Sequence, residues 1–430
     1  MKLSMEGLYS AFLKHPIIST DTRDIRKDSI FFALKGANFN ANNFALQSIE
    51  LGCAFAIIDE PEFELNDQFI LVDDVLTTLQ DLAFHHRRQL KIPVIGITGT
   101  NGKTTTKELL NAVLSEKYSV TATKGNLNNH IGVPLTLLGI TKETEIAIIE
   151  MGANHIGEIA ELCEIAIPNF GIITNIGKAH LEGFGSIDGV IKTKKGLYES
   201  VKKNSGKLFV NAENIMLVDL IEEGNAIYYS GNNSEFTGEI VEMNPFLKID
   251  LKIKNETISV QTNLVGKYNF ENIMAAVCIG SYFDVSSIQI KKAIENYFPS
   301  NNRSQVKHSH TNTLILDAYN ANPSSMLVSI NNFIDIPAKR KVVIIGDMRE
   351  LGSESQSEHL EILKLINLLK FDDVIIVGTE FFKFSKDFNF KFFPKVEDAF
   401  VFIQHNPISD STILLKGSRG IKLETLNNLL

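Results

Sequence analysis

Short apolar runs alternate with segments of helical periodicity along most of the chain. The runs that predict strands are residues 29–34, 54–58, 69–72, 93–95, 145–150, 170–175, 314–317, 342–347, 374–378 and 413–417. Residues 75–89 and 269–283 carry apolar side chains at helical spacing and predict helices. This alternation is typical of parallel sheets covered by helices on both faces, so we predict an α/β fold.

Two segments depart from this pattern. Alternating residues from 247 to 260 predict antiparallel strands, and a period-two pattern at residues 388–392 predicts a further half-buried strand. Breaker residues cluster at residues 298–302 and predict a domain boundary. Because 430 residues exceed one ordinary core, we predict three domains, which span residues 1–91, 92–302 and 303–430.

A glycine-rich segment joins the strand predicted at residues 93–95 to an amphipathic helix. Its sequence is Gly96-Ile97-Thr98-Gly99-Thr100-Asn101-Gly102-Lys103-Thr104-Thr105-Thr106. Such a loop turns backbone N–H groups toward an anion, and the helix N-terminus adds partial positive charge. Lys103 can reach nucleotide phosphates and Thr104 can ligate Mg²⁺. Ile97 replaces the first glycine of the usual pattern, so this is a variant loop, and a chance glycine loop is the alternative.

Polar residues that follow predicted strands are further candidates, because ligands of open parallel sheets bind beyond the carboxyl ends of the strands. Glu150 ends a strand and can hold Mg²⁺, although a solvated strand end is the alternative. His180 follows another strand in a glycine-rich loop and could be either a ligand or a structural histidine. Lys194 lies in a basic run, which pattern alone would place on an exposed face.

Asparagines precede or follow several of the remaining elements. Asn269 can cap the helix that begins there, and Asn272 lies one turn further on. Asp317 and Asn320 follow a strand in the segment Asp-Ala-Tyr-Asn-Ala-Asn-Pro, which turn chemistry alone would also explain. These positions favour a ligand site at the sheet edge without requiring one.

The net charge, the cysteines and the apolar runs of the sequence indicate which partners and which compartment to expect. The net charge of −9 argues against nucleic acid or anionic lipid as a partner. The three cysteines lie far apart, without a CxxC pair, and we expect core thiols in a reducing compartment. No apolar run reaches the length of about 18 residues that spans a membrane, and the N-terminus lacks an apolar signal segment. We therefore expect a cytoplasmic protein without membrane insertion.

Together these motifs resemble the Mur ligase family of cell-wall amide-forming enzymes, over nearly the whole chain. Residues 99–104 are similar to the family's ATP loop, and residues 123–134 to the loop that follows it. The segments at residues 317–323, 346–352 and 415–419 resemble the members that add D-alanyl-D-alanine to UDP-N-acetylmuramoyl-tripeptide. The resemblance implies an N-terminal UDP-substrate domain, a central ATP-binding domain and a C-terminal Rossmann-like domain.

The resemblance also implies roles for particular residues. Those implied at the nucleotide are Gly99, Thr100, Asn101, Gly102, Lys103, Thr104, Thr105, Asn126, Asn269, Asn272, Arg303, Asp317 and Asn320. Two Mg²⁺ ions are implied, with Thr104, Glu150, His180 and a carbamate on Lys194 as ligands. We choose Lys194 over Lys195 because Tyr198 then aligns. Lys103, Lys194, His180 and Arg303 are the implied catalytic residues.

For the N-terminal domain the resemblance implies UDP contacts. The implied residues are Ser19, Asp21, Thr22, Arg23, Lys35 and Gly36. The tip at residues 38–44 departs from the family's more common Asp-Gly-His form, so its contacts are not carried over.

The implied reaction uses ATP to convert the tripeptide carboxylate into an acyl phosphate, which the amine of D-alanyl-D-alanine attacks. We expect a monomer that acts on these small molecules. Two alternatives remain: a sister ligase, acting on the third muropeptide residue or on folate, and a nucleotide-binding module without catalysis. Residues 317–323 argue against the first. The presence of Lys103, Thr104, Glu150, His180 and Lys194 argues against the second.

Overall fold

The computed structural model describes residues 3–221, 225–231 and 234–430. Its N-terminal strands are β1 (Ile18–Ser19), β2 (Ile30–Phe32), β3 (Lys35–Gly36), β4 (Phe39–Asn40), β5 (Phe55–Ile58) and β6 (Phe69–Leu71). The helices are α1 (Met5–Lys14), α2 (Ala45–Glu50) and α3 (Val75–Gln89). A parallel sheet has the order β1-β2-β5-β6, and β3 and β4 form a separate antiparallel hairpin.

The central strands are β7 (Val94–Thr98), β8 (Val120–Ala122), β9 (Ile146–Glu150), β10 (Phe170–Ile173), β11 (Lys207–Asn211), β12 (Ala226–Tyr229), β13 (Phe236–Met243), β14 (Phe246–Ile253) and β15 (Glu256–Val265). The helices are α4 (Lys103–Leu114), α5 (Gly132–Leu138), α6 (Glu158–Ala166), α7 (Leu181–Phe184), α8 (Ile187–Lys203), α9 (Ile215–Val218), α10 (Tyr268–Tyr282) and α11 (Ser287–Glu295). A parallel sheet has the order β12-β11-β10-β7-β9-β8. Strands β13, β14 and β15 form the antiparallel sheet that the pattern predicts.

Strands of the central parallel sheet are apolar on both faces because each face packs against its own core. Along β9, Ala147 and Ile149 join one core, whereas Ile146 and Ile148 join the other. The continuous apolar runs of the sequence therefore mark strands that helices cover on both sides. Polar residues are left for the loops at the carboxyl edge, where β7, β9 and β10 end.

The C-terminal strands are β16 (Gln305–His308), β17 (Thr313–Asp317), β18 (Lys341–Gly346), β19 (Asp373–Val377), β20 (Lys391–Phe393) and β21 (Thr412–Lys416). The helices are α12 (Pro323–Asp335), α13 (Ser355–Leu369), α14 (Thr379–Phe382) and α15 (Val396–His405). The sheet order is β16-β17-β21-β18-β19-β20, and β16 runs antiparallel to β17 while the other pairs are parallel. The predicted α/β class with parallel sheets is confirmed.

Two local predictions are wrong. The strand predicted at residues 388–392 begins only at Lys391. Residues 388–390 are irregular, and Phe388 and Phe390 stack on each other beside the C-terminal core, with ring centroids 5.7 Å apart. Asn269 does not cap α10, which begins at Tyr268. The domain boundaries at residues 91/92 and 302/303 stay predictions, and both fall between the strands of neighbouring sheets.

Buried side chains agree with the expected thiol chemistry. Cys53, Cys163 and Cys278 are all buried and free, and burial raises the pKa of each thiol.

In the part of the chain that the structure describes, no helix combines the length and apolarity needed to cross a membrane.

A buried arginine joins the N-terminal segment to the central one. Arg87, on α3, donates through Nε to the Ala166 carbonyl (2.8 Å) and through Nη2 to the Ile167 carbonyl (2.9 Å). Its Nη1 donates to the Leu90 carbonyl at 3.0 Å. The guanidinium thus satisfies carbonyl groups at the C-terminal end of α6, where a cation is also favoured by the helix dipole.

Replacing Arg87 should destabilise the protein. Arg87→Ala should lower the free energy of unfolding by about 2–4 kcal/mol, because buried carbonyl groups lose their donors. Arg88→Ala is the matched control, since this neighbour is exposed, and it should leave stability unchanged within error. Urea unfolding followed by circular dichroism measures both. Equal effects of the two substitutions would contradict the assigned role of Arg87.

Candidate functional site

A cavity of about 1060 Å³ opens where the carboxyl edges of the central and C-terminal sheets face each other. The predicted site residues at its wall are Thr100, Asn101, Gly102, Lys103, Thr104, Thr105, Asn126, Glu150, His180, Asn269, Asn272, Arg303, Asp317 and Asn320. They come from the loop after β7 and the start of α4, from the loops after β8, β10 and β17, from the last residues of β9 and β17, from α10 and from the segment before β16. Folding therefore brings together residues that are more than 200 positions apart in the chain.

The glycine loop adopts a backbone that two of its glycines make possible. Gly99 has φ +148°, and a Cβ there would lie 1.9 Å from Thr174 Oγ1. Gly102 has φ +79°, and a Cβ would lie 2.4 Å from Asn272 Oδ1. A side chain at either position would meet both strain and a clash.

Asn175 holds this loop from the neighbouring strand end. Its carbonyl accepts from Thr100 N (2.9 Å), and its Oδ1 accepts from Asn101 N (2.9 Å). Helix α4 then begins at Lys103, and no side chain of the described residues caps it. The N–H groups of its first turn therefore point into the cavity entrance without a helical partner, which is the geometry of an anion-binding site.

Lys103 is enclosed at the base of this loop. Its Nζ donates to the Gly99 carbonyl (2.7 Å) and the Thr100 carbonyl (3.0 Å). The Lys103 pKa is lowered to about 8, mainly by burial; the Glu150 charge opposes the shift and the Arg303 charge adds to it. The ammonium is thus poorly solvated and would gain from an anionic ligand.

Glu150 lines the same cavity as Lys103 and is 1% exposed. Its Oε1 accepts from Thr104 Oγ1 (3.1 Å) and from Asn128 Nδ2 (2.8 Å). Its buried Oε2 has no hydrogen-bond partner among the described residues. An orphaned carboxylate oxygen beside a threonine hydroxyl is a donor set that fits Mg²⁺. Asn128 was not predicted, although it lies in the segment at residues 123–134.

Lys194 and Lys195 occupy different environments on α8. Lys194 is 3% exposed because its stripe of the helix, with Val190, Leu197 and Tyr198, faces the core. Burial lowers the Lys194 pKa well below its usual value, and repulsion from Lys103 adds to the shift. Lys195 is more open, with Nζ 3.6 Å from Glu199 Oε1. The exposed-face interpretation of Lys194 is therefore wrong.

His180 meets the C-terminal segment. Its backbone is left-handed, with φ +50°, and its Nδ1 lies against Glu350 Oε2. The imidazole lowers the Glu350 pKa. Glu350 was not predicted individually, although it lies in the segment at residues 346–352.

Among residues 3–221, 225–231 and 234–430, no three His, Cys, Asp or Glu side chains form a preformed metal cluster.

Other contacts complete the C-terminal wall. Asn322 Nδ2 donates across the cleft to Asn101 Oδ1 (2.9 Å), and Lys178 Nζ pairs with Glu358 (2.7 Å). Asp317 pairs with the buried Lys416 at 2.8 Å, since the two residues are neighbours in the β17–β21 register. The two sheets therefore already meet around the cavity.

The six N-terminal candidates lie away from this cavity. Asp21 accepts from Arg23 Nε at 2.9 Å, and that bond lowers the Asp21 pKa to about 2. Ser19 Oγ donates to the Asp21 carbonyl, and Thr22 opens a short 3₁₀ turn. Lys35 Nζ lies 3.0 Å from Asp59, while Gly36 faces open space.

The loop, the free helix N-terminus and the buried lysine define a phosphate-binding site of the α/β nucleotide-binding class. The Mur ligase middle domain model matches residues 97–280, and the model described as Mur ligase, glutamate ligase domain, matches residues 302–419. This chain belongs to the Mur ligase family. Its membership agrees with the resemblance inferred from the sequence motifs.

Individual relatives resemble this chain over most of its length. The protein named UDP-N-acetylmuramoyl-tripeptide--D-alanyl-D-alanine ligase from Bacillus subtilis (strain 168) is 33% identical over 422 residues, which cover 95% of this chain and 92% of that protein. The Escherichia coli (strain K12) protein of the same name is 33% identical, covering 84% and 81%. The crystal structure of MurF from Acinetobacter baumannii aligns with a TM-score of 0.86 at 31% identity, covering 96% and 92%.

The number of protons taken up when ADP binds should report on the protonation of Lys103. Its pKa of about 8 leaves it partly neutral at pH 8, and a bound phosphate favours the ammonium, so ADP binding should take up about half a proton at that pH. At pH 6 the lysine is already protonated and should contribute no uptake. Calorimetric titrations in buffers of different ionisation enthalpy measure the difference. Lys103→Met is the control for protons that ADP itself exchanges, and identical uptake in that variant would contradict the assignment.

Proposed function

We propose that this chain is an ATP-dependent, ADP-forming ligase that adds D-alanyl-D-alanine to UDP-N-acetylmuramoyl-tripeptide in peptidoglycan precursor synthesis. We further propose that it works in the cytoplasm as a monomer. The observation that carries the activity is the phosphate loop with Lys103 in the same cavity as the unpartnered Glu150 Oε2, where residues of the C-terminal segment complete the wall. The names of relatives that align over nearly the whole chain support the choice of substrates.

The reaction must join a carboxylate to an amine in water. A carboxylate is a poor acyl donor, so its oxygen first attacks the γ-phosphorus of ATP, which gives an acyl phosphate and ADP. The amine of D-alanyl-D-alanine then attacks the acyl carbon and expels phosphate. Two anions meet in the first step, so cationic groups must supply most of the stabilisation.

The enclosed cations are suited to that task. Lys103 and Arg303 stabilise the transferring phosphoryl group, because both charges face the same region of the cavity. Thr104 and Glu150 would hold one Mg²⁺, with the unpartnered Glu150 Oε2 as a ready ligand. His180 and a modified Lys194 would hold a second. The metal, when bound, neutralises phosphate charge and polarises the reacting oxygens.

In this proposal Lys194 can bind a metal only after its amine has been converted into a carbamate. Burial and the neighbouring Lys103 favour its neutral amine, and a neutral amine can add to CO₂, giving a carbamate and releasing one proton. The carbamate is an anion with oxygen donors, which Mg²⁺ prefers. It would also replace a repulsive neighbour of Lys103 by an attractive one.

The remaining wall binds the other parts of the substrates. Asn272, Asp317 and Asn320 surround the nucleotide in this proposal, with the loop residues Gly99, Thr100, Asn101, Gly102 and Thr105 and with Asn126. Asn269 belongs to the same wall but is fully buried. The N-terminal residues Ser19, Asp21, Thr22, Arg23, Lys35 and Gly36 bind the UDP group. Because they lie outside the cavity, the extended UDP-linked substrate would bridge the N-terminal surface and the phosphate loop.

Substrate dependence tests the proposed reaction. Phosphate release from ATP should require UDP-N-acetylmuramoyl-tripeptide and D-alanyl-D-alanine together, because the acyl phosphate needs its amine acceptor to turn over. The measurement is a coupled phosphate assay with each acceptor pair in turn. Equal turnover with a folate and glutamate would identify a sister ligase and overturn the proposal.

Adjacent lysines provide a matched test of the carbamate. Lys194→Ala should reduce turnover by on the order of 10²-fold or more while ADP still binds, since a metal ligand is lost but the phosphate loop is intact. Small carboxylates should partly restore turnover by supplying oxygen donors. Lys195→Ala should stay near the unsubstituted rate. A fully active Lys194→Ala variant, or an equal loss in Lys195→Ala, would exclude the assigned role.

A further inference from the structure

A row of buried hydrogen bonds connects the phosphate-loop helix to the segment that carries Arg303. Thr106 Oγ1, on α4, donates to Asn272 Oδ1 (3.0 Å), and Asn272 Nδ2 donates to Asn269 Oδ1 (3.0 Å). Asn269 Nδ2 in turn donates to Ser304 Oγ (3.1 Å). All four side chains are buried. We call this row the Thr106–Ser304 relay, and it ends one residue beyond Arg303.

Both amide hydrogens of Asn269 are engaged within the protein. Its Nδ2 donates a second bond to the Val265 carbonyl (2.8 Å), and its Oδ1 already accepts from Asn272. The residue is 0% exposed. Both amide hydrogens are therefore used, and none is left to donate to a nucleotide in the cavity. As a hydrogen-bond donor, Asn269 can therefore act on a ligand only through the groups that it holds.

The backbone around Arg303 needs such support. Asn302 and Ser304 are both left-handed, with φ +55° and +51°, so Arg303 lies between two residues in a conformation that side chains rarely adopt. Such a conformation persists where neighbouring contacts hold it. The Ser304 hydroxyl is bonded by Asn269 and, at 2.7 Å, by the Tyr268 hydroxyl.

The Arg303 side chain is also fixed. Its guanidinium carbon lies 3.8 Å from the centroid of the Tyr319 ring, a stacking geometry that orients the planar group. Its charge acts on Lys103 across the cavity. The ring sets the side chain and the Thr106–Ser304 relay sets the backbone, so together they fix the guanidinium relative to the phosphate loop.

We infer that Asn269 and Ser304 are positioning residues: the Thr106–Ser304 relay holds Arg303 in register with the phosphate loop, so that both cations meet the same phosphoryl group. The inference rests on the proposed function, in which Arg303 acts on ATP. It replaces the direct nucleotide contact of Asn269 that the family resemblance implies with an action through Arg303. Loop and arginine belong to segments on either side of the predicted boundary at residue 302.

A double-mutant cycle tests this relation in the full-length chain. Ser304→Ala should lower kcat about fivefold to tenfold with little change in the KM for the muropeptide, because Arg303 is displaced but the substrate surface is not. Arg303→Ala should lower kcat by on the order of 10²-fold. The double variant should match Arg303→Ala within about twofold, since a positioning residue has nothing left to position.

Two further variants separate the relay from general stability. Tyr268→Phe removes the other bond to the Ser304 hydroxyl and keeps the Asn269 bond, so its kcat should stay within about twofold of the unsubstituted protein. Ser304→Gly tolerates the left-handed backbone but lacks the hydroxyl, and it should lose as much kcat as Ser304→Ala. Melting temperatures above the assay temperature confirm that each variant is folded.

The outcomes that overturn the inference differ from those that overturn the proposed function. Multiplying losses in the double variant, or unsubstituted kcat in Ser304→Gly, would show that Ser304 does not act through Arg303. Unchanged kcat in Arg303→Ala would instead remove Arg303 from the proposed chemistry, and the inference with it. Loss in Ser304→Ala that vanishes in the Arg303→Ala background supports both.

Discussion

The site depends on one enclosed charge, the ammonium of Lys103. Lys103 lines the cavity together with Arg303, and the buried carboxylate of Glu150 belongs to the same wall. Burial disfavours the charged form of a lysine, and the neighbouring Arg303 charge increases that penalty. A polyanion such as a nucleotide phosphate chain, with its metal, would stabilise the charged lysine, so the group that burial leaves poorly solvated favours ligand binding.

The fold supplies the framework that holds these groups in place. Both parallel sheets present their carboxyl edges to the cavity, and the short bonds between Asn322 and Asn101 and between Lys178 and Glu358 join the two edges. The backbone of the glycine loop and the N-terminus of α4 direct N–H groups toward the same cavity. Catalysis by this constellation would need little reorganisation, because dipoles and charges are already oriented before substrate arrives.

Local patterns predicted the part of the site that depends on local structure. The strand, glycine loop and helix around Lys103 were identified correctly because buried parallel strands are continuous apolar runs. Lys194 could not be placed from its basic run, since its burial depends on which stripe of α8 faces the core. Asn128 and Glu350 reach the site only through tertiary contacts.

Some residues have a local pattern that fits one structure but make contacts that fit another, and these were the hardest to predict. Asn269 had the residue type and the position of a helix cap, yet its amide faces inward and bonds Val265 and Ser304. The phenylalanines at 388 and 390 had the period of a strand, but they lie in an irregular segment where their rings stack on each other. For Asn269 the long-range contact with Ser304 outweighed a local preference, whereas the Phe388–Phe390 stack is itself a local contact.

Transfer of an isotope tests the proposed acyl phosphate most directly. The tripeptide carboxylate would be labelled with ¹⁸O, and the phosphate released during synthesis would be analysed by mass spectrometry. Attack of the carboxylate on ATP places one labelled oxygen between carbon and phosphorus, and the amine then expels that oxygen with the phosphate. We predict one ¹⁸O in each phosphate released. Unlabelled phosphate accompanying amide formation would contradict the mechanism.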